Sequence, residues 1–157
     1  MDSLDSFRQL FEYDYWGNQQ ALLSIEALRG LAQQALKIAG HIIGAQRVWL
    51  GRIESPDSRS GAPWPVLTLD EARAAVAVLH HRWSMFLSNV TLEKLDEDRV
   101  YRNTKGMEFR TPLRDVLMHL VMHSAYHRGQ IAAAVRDAGG KPAVTDYVVY
   151  VRQLEKT

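Results

Sequence analysis

The chain has 157 residues, 46% apolar and 24% charged, with a formal net charge of +1, six histidines and no cysteine. That length fits one domain, spanning residues 1–157, able to bury roughly two thirds of the surface its unfolded form exposes. The spread of lysine and arginine argues against the clustered basic face of a nucleic-acid binder. The lack of cysteine excludes disulfides, thiolate nucleophiles and cysteine-held metal, so any metal is held by histidine or oxygen. The polar, acidic start "MDSLDSFRQL" lacks the basic start and apolar stretch expected of a signal peptide, and there is no apolar run of about 18 residues to span a membrane. The expectation is a cytoplasmic protein with no membrane partner.

In chain order, Leu4, Phe7, Leu10, Phe11, Tyr15, Ala21, Leu22 and Ile25 form one helical stripe. Asp2 or Ser3 is available as its cap, and Gly30 ends it. A second helix is expected from about Ala32 to Ile53. Gly40 and Gly44 within it are spaced to admit another helix, although each costs about 1 kcal/mol relative to alanine. The segment "ESPDSRSGAPWP" (54–65) reads as loop. Thr68 followed by Glu71 is a capping box before a third helix, Ala72 to Leu87.

Residues 91–110 do not read as helix. "RVYRNTKGMEFRT" alternates about Asn103–Gly106 and predicts a short hairpin or extended excursion. Thr111 as cap and Pro112 at the first helical position open the last long helix, which ends near Ala138 before Gly139-Gly140. "VTDYVVYVRQL" allows a final short helix or a strand. Four long amphipathic helices predict an all-α four-helix bundle with a hairpin or irregular crossover before the last long helix, a frame that often builds metal sites in its core.

The last long helix carries His119, His123 and His127 at four-residue intervals in "MHLVMHSAYHRGQI" (118–131). Residues i and i+4 of a helix project side by side, about 6 Å apart along the axis. His123 and His127 can therefore reach one ion, whereas His119 and His127 stand about 12 Å apart. A helical His pair is more often structural than metal-binding. Here Val116, Leu120 and Ile131 flank it, which points the ladder at the core, and a buried imidazole needs a partner. The third ligand comes from His41, His80 or His81. The adjacent His80 and His81 read as a solvated pair, while His41 lies among apolar and small residues.

"AGHIIGAQRVWLGRI" together with "HLVMHSAYHRGQIAAAVRDAGGKPAVTDY" resembles the DinB/YfiT-like superfamily of small metal-binding four-helix bundles, the damage-inducible DinB family. "YDYWGNQQALL" resembles its Tyr-Asn-x-Trp-Ala-Asn segment, with Asp14 and Gly17 as departures, and the resemblance spans residues 7 to about 150. It implies a divalent metal held by His41, His123 and His127, with His119 in support. It also implies a homodimer and, for some members, transferase or isomerase chemistry with a low-molecular-weight thiol.

Three neutral imidazoles leave an open position on the metal, which is the catalytic pattern. Zinc or nickel is favoured, with iron or manganese as alternatives. The expected function is a metal-dependent enzyme, a thiol-dependent S-transferase or a hydrolase, acting on a small molecule. The alternative is a non-enzymatic metal-binding or stress-response protein. No general base stands out. Gln130 is placed to hydrogen-bond near the site, Gly129 suggests a close helix contact, and Arg128 suggests an ion pair. Trp16 and Trp49 read as core residues sooner than as a pocket lining.

Overall fold

Apolar residues at helical spacing form helices where expected, and most of the chain is helical. The computed structural model describes residues 3–55, 61–103 and 105–155. In chain order the elements are α1 (Ser3–Glu26), α2 (Gln33–Glu54), α3 (Leu69–Asn89), α4 (Leu92–Asp96), β1 (Asp98–Arg102), β2 (Glu108–Pro112), α5 (Leu113–Asp137) and α6 (Tyr147–Leu154). The long helices α1, α2, α3 and α5 bury their stripes in one core that includes Phe7, Phe11, Ile43, Leu50, Leu79, Trp83, Leu117, Leu120 and Ile131. No helix among the described residues is long and apolar enough to cross a membrane.

Local signals explain the helix ends. Asp2 lies outside the described residues, and Ser3 is the first residue of α1. The Thr68–Glu71 capping box is formed in both directions at the start of α3. After α5, Gly139 takes a left-handed φ of 83°. Its N–H bonds the Arg136 carbonyl and that of Gly140 the Val135 carbonyl, which stops the helix in a Schellman motif.

Three expectations need correction. Residues 92–96 form the single turn α4, capped by the Thr91 side chain accepting from Lys94 N–H, within a stretch read as wholly non-helical. Thr111 does not cap α5: it pairs with Arg99 in the antiparallel β1–β2 ladder, which runs on to Pro112 opposite Asp98. Pro112 is the cap residue, and the Leu113 N–H is satisfied instead by the Glu97 carbonyl at 3.0 Å. Gly40 and Gly44 face the loop before α3 and no helix. A Cβ on Gly44 would lie 2.6 Å from the Pro63 oxygen, and one on Gly40 2.7 Å from that of Pro65.

The hairpin centres where the alternation placed it. The Asn103 carboxamide oxygen accepts from Lys105 and Met107 N–H, and Gly106 takes a φ of 79°; Thr104 lies outside the described residues. The ambiguous C-terminal segment is helical. Tyr147 and Tyr150, one turn apart on α6, pack against Tyr13, whose hydroxyl donates to the Thr145 carbonyl at 2.8 Å. With no strand among the described residues pairing with it, this aromatic contact outweighs the β preference of its valines.

Candidate metal centre

α2 and α5 are neighbours, and their facing positions bring His41 to the His123–His127 pair. One donor nitrogen from each of the three lies within 4.8 Å of the others. The ring centroids are 4.4 Å apart for His123–His127, 4.6 Å for His41–His127 and 4.9 Å for His41–His123. All three are half-buried at the edge of the core, with Val116, Leu120 and Ile131 fully buried beneath them.

The tautomers are set from outside. His41 Nδ1 donates to the Pro63 carbonyl at 2.8 Å, and His127 Nδ1 donates to Gln130 Oε1 at 2.7 Å. Each bond puts the proton on Nδ1 and leaves the Nε2 lone pair free, the arrangement a metal-binding imidazole needs. His127 Nε2 and His123 Nε2 stand 3.1 Å apart. Nitrogens bound to one zinc ion at 2.0–2.1 Å are separated by about 3.3 Å, so this pair has the spacing of two donors to one ion. Burial, and then the charges its neighbours His127, His41 and His119 would carry, push His123 down to about 4. Burial likewise lowers His41, partly offset by its bond to Pro63. His123 is therefore neutral, as a ligand must be, at any ordinary pH. The residues fit a divalent ion.

The loop before α3 holds this centre in a way the sequence did not reveal. Trp64 stacks on His41 with centroids 3.8 Å apart and planes at 10°. The loop reaches His41 because Gly44 leaves room for Ala62, Pro63 and Pro65, and Gly40 for Pro65. The glycine pair was the legible signal; its occupant was not.

The other histidines stay outside. His119 is exposed and rests 5.6 Å from Trp49 and 5.5 Å from His123. His81 is exposed. His80 is half-buried, bonded to Glu12 at 2.8 Å and stacked on Tyr15 at 4.0 Å, so the two are not equally solvated. Trp16 packs on Tyr13 and Tyr150, and Trp49 on Tyr101. Gly129 has nothing within 4 Å of a Cβ position, so it makes no close helix contact. Tyr126 is 67% exposed.

Behind the centre, α5 carries a buried polar network. Arg128 donates to Asp14 at 2.8 Å and to Asn18 at 3.1 Å, and Asp14 also accepts from Asn18 and Gln46, the latter at 2.6 Å. Gln46 reaches on to Ser124 at 3.4 Å. The guanidinium carbon lies 4.9 Å from the centre of the Tyr13 ring. A Cβ on Gly17 would sit 2.8 Å from Arg128 Nε. The two departures noted in the N-terminal segment thus act together, Asp14 supplying the counter-charge and Gly17 the space.

Fold and centre together define a mostly helical protein with a three-histidine group suited to a metal. A DinB family model matches residues 4–156, and the chain belongs to that family. It is similar to the protein DinB of Bacillus subtilis (strain 168), with 27% identity over 161 residues covering 91% of this chain and 92% of the relative. No solved structure gives a significant match.

Proposed function

We propose that this chain is a metal-dependent enzyme on a DinB-type four-helix bundle, using His41, His123 and His127 to hold zinc or nickel and performing thiol-dependent S-transfer or hydrolysis on a small molecule. The observation that carries this reading is the pair of outer hydrogen bonds, from His41 to Pro63 and from His127 to Gln130, which turn two Nε2 lone pairs toward His123. His41, His123 and His127 would hold a divalent ion, which would supply Lewis-acid chemistry, polarising a substrate or lowering the pKa of a thiol or water. The chain's own part is to orient His41 and His127 through their outer hydrogen bonds and to keep His123 neutral by burial. Trp64 on His41 walls one side of the centre with an indole face. The chain supplies no thiol of its own, so transfer chemistry draws on a low-molecular-weight thiol. We place the protein in the cytoplasm as a homodimer.

Elemental analysis of protein purified without a histidine tag tests this. One equivalent of metal per chain is expected, lost in the His123→Ala, His127→Ala double variant and retained in His119→Ala. Absence of stoichiometric metal, or its retention in the double variant, refutes the proposal. The second reading, a non-enzymatic metal-binding or stress-response protein, draws support from the close cover of Pro63 and Trp64 over His41. It predicts a large loss of thermal stability on chelation and no exchangeable ligand on the metal.

A further inference from the structure

A cavity of about 200 Å³ opens between α1, α2 and α3, and none of the three histidines lines it. Protein interiors are close-packed, with few voids larger than a water molecule. This space is instead open to solvent, with the exposed Arg8, Glu12, Ser84 and Ser88 among its lining, and it has room for a small ligand. Its apolar lining includes Phe11, Leu79, Trp83 and Leu87, and the buried Asp14, Asn18 and Gln46, committed to the Arg128 network, also border it.

The rim is polar and its charges are unequally committed. His80 is bonded to Glu12 at 2.8 Å and stacked on Tyr15, so that pair is closed on itself. Arg8 also lines the cavity, its guanidinium tethered to the Leu87 carbonyl at 3.3 Å. Its ionic partner is Asp5 at 2.8 Å, one helical turn away, with the two side chains 45% and 53% exposed. Such an exposed pair contributes little, so an arriving carboxylate replaces Asp5 at small cost.

We propose that this cavity is a second binding site, separate from the metal centre, for a small organic carboxylate with a single apolar body. The body lies against Phe11, Leu79, Trp83 and Leu87, and the carboxylate takes the place of Asp5 on Arg8. An apolar cavity of about 150 Å³ takes up benzene, so this one accepts a body of about six to eight carbons. The site stands whether or not the histidines bind metal.

Octanoate is the probe, with 1-octanol as its uncharged comparator, each titrated into the full chain by calorimetry. Octanoate should bind saturably at one site per chain. Arg8→Gln should weaken octanoate about fivefold and leave octanol unchanged. Ser84→Trp, at an exposed position on the cavity rim, should abolish both without changing the circular dichroism or the metal content. Lack of saturable octanoate binding overturns the proposal, as does undiminished binding in Ser84→Trp or equal loss of both probes in Arg8→Gln.

Discussion

Trp64 lies flat on His41, ring centroids 3.8 Å apart and planes within 10°, while the neighbouring Pro63 carbonyl accepts the His41 Nδ1 proton. One short loop thus fixes both the plane and the tautomer of His41, the candidate ligand on α2. It gets close enough because residues 40 and 44 have no side chain.

Gly44→Ala should consequently weaken metal binding by the candidate histidines from a position outside the three of them. Its Cβ would meet the backbone oxygens of Pro63 and Ala62 at 2.6 and 2.8 Å, pushing the loop off His41. Loss of such an outer contact typically costs 10–100-fold in metal affinity, and about that is expected by chelator competition. The helix itself gains about 1 kcal/mol in propensity from the alanine. An unchanged metal affinity would show that His41 does not depend on the loop.

The acid stability of the metal-free protein should report on His123. Its folded pKa, about 4, is below the unfolded value of 6.5. Above 6.5 both states are neutral and the group has no effect. As pH falls from 6.5 to about 4, the unfolded chain takes up a proton that the folded chain refuses, so stability falls with pH and levels off below. Urea unfolding across this range should show the decline, and His123→Phe should flatten it. An equal slope in both proteins would assign the effect elsewhere.

Asp14→Ala should be among the most destabilising single changes available. It leaves the Arg128 guanidinium, whose side chain is 1% exposed, without its counter-charge. Removing one partner of a buried pair costs about 3–5 kcal/mol, readable as a lower urea midpoint. Replacing both, as in Asp14→Leu with Arg128→Met, should recover most of that loss, because no charge is then left stranded. A single variant within about 1 kcal/mol of the parent would remove the network from the list of things that hold the fold.

The sequence was most legible where signals are local. The Thr68–Glu71 box, the Gly139-Gly140 stop and the His123–His127 pair each depend on residues within one or two turns, and each is found as read. The third histidine rested on a family resemblance, and the packing of α2 on α5 brings His41 beside the other two. What escaped was set by contacts between distant segments. Thr111 has good capping chemistry, but its pairing with Arg99 extends β2 past it, and the Glu97 carbonyl does the work of the cap. The glycines of α2 announced a close approach without naming the visitor, because a proline-flanked tryptophan in a loop carries no periodicity to read. Arg128 read correctly as an ion pair, yet its partner lies 114 positions away. The trace of that partner was a carboxylate on an otherwise apolar helix face, next to a glycine one turn on.

His127 and Arg128 are consecutive, yet one faces His41 and His123 and the other is buried beside Asp14. Neighbouring residues on a helix diverge by about 100°, so these two side chains together define a single azimuth for α5. Turning the helix one way would drag the guanidinium toward water and away from Asp14. Turning it the other would swing the imidazoles out of reach of His41. The ion pair therefore works as a rotational stop, aiming a three-histidine group it never touches.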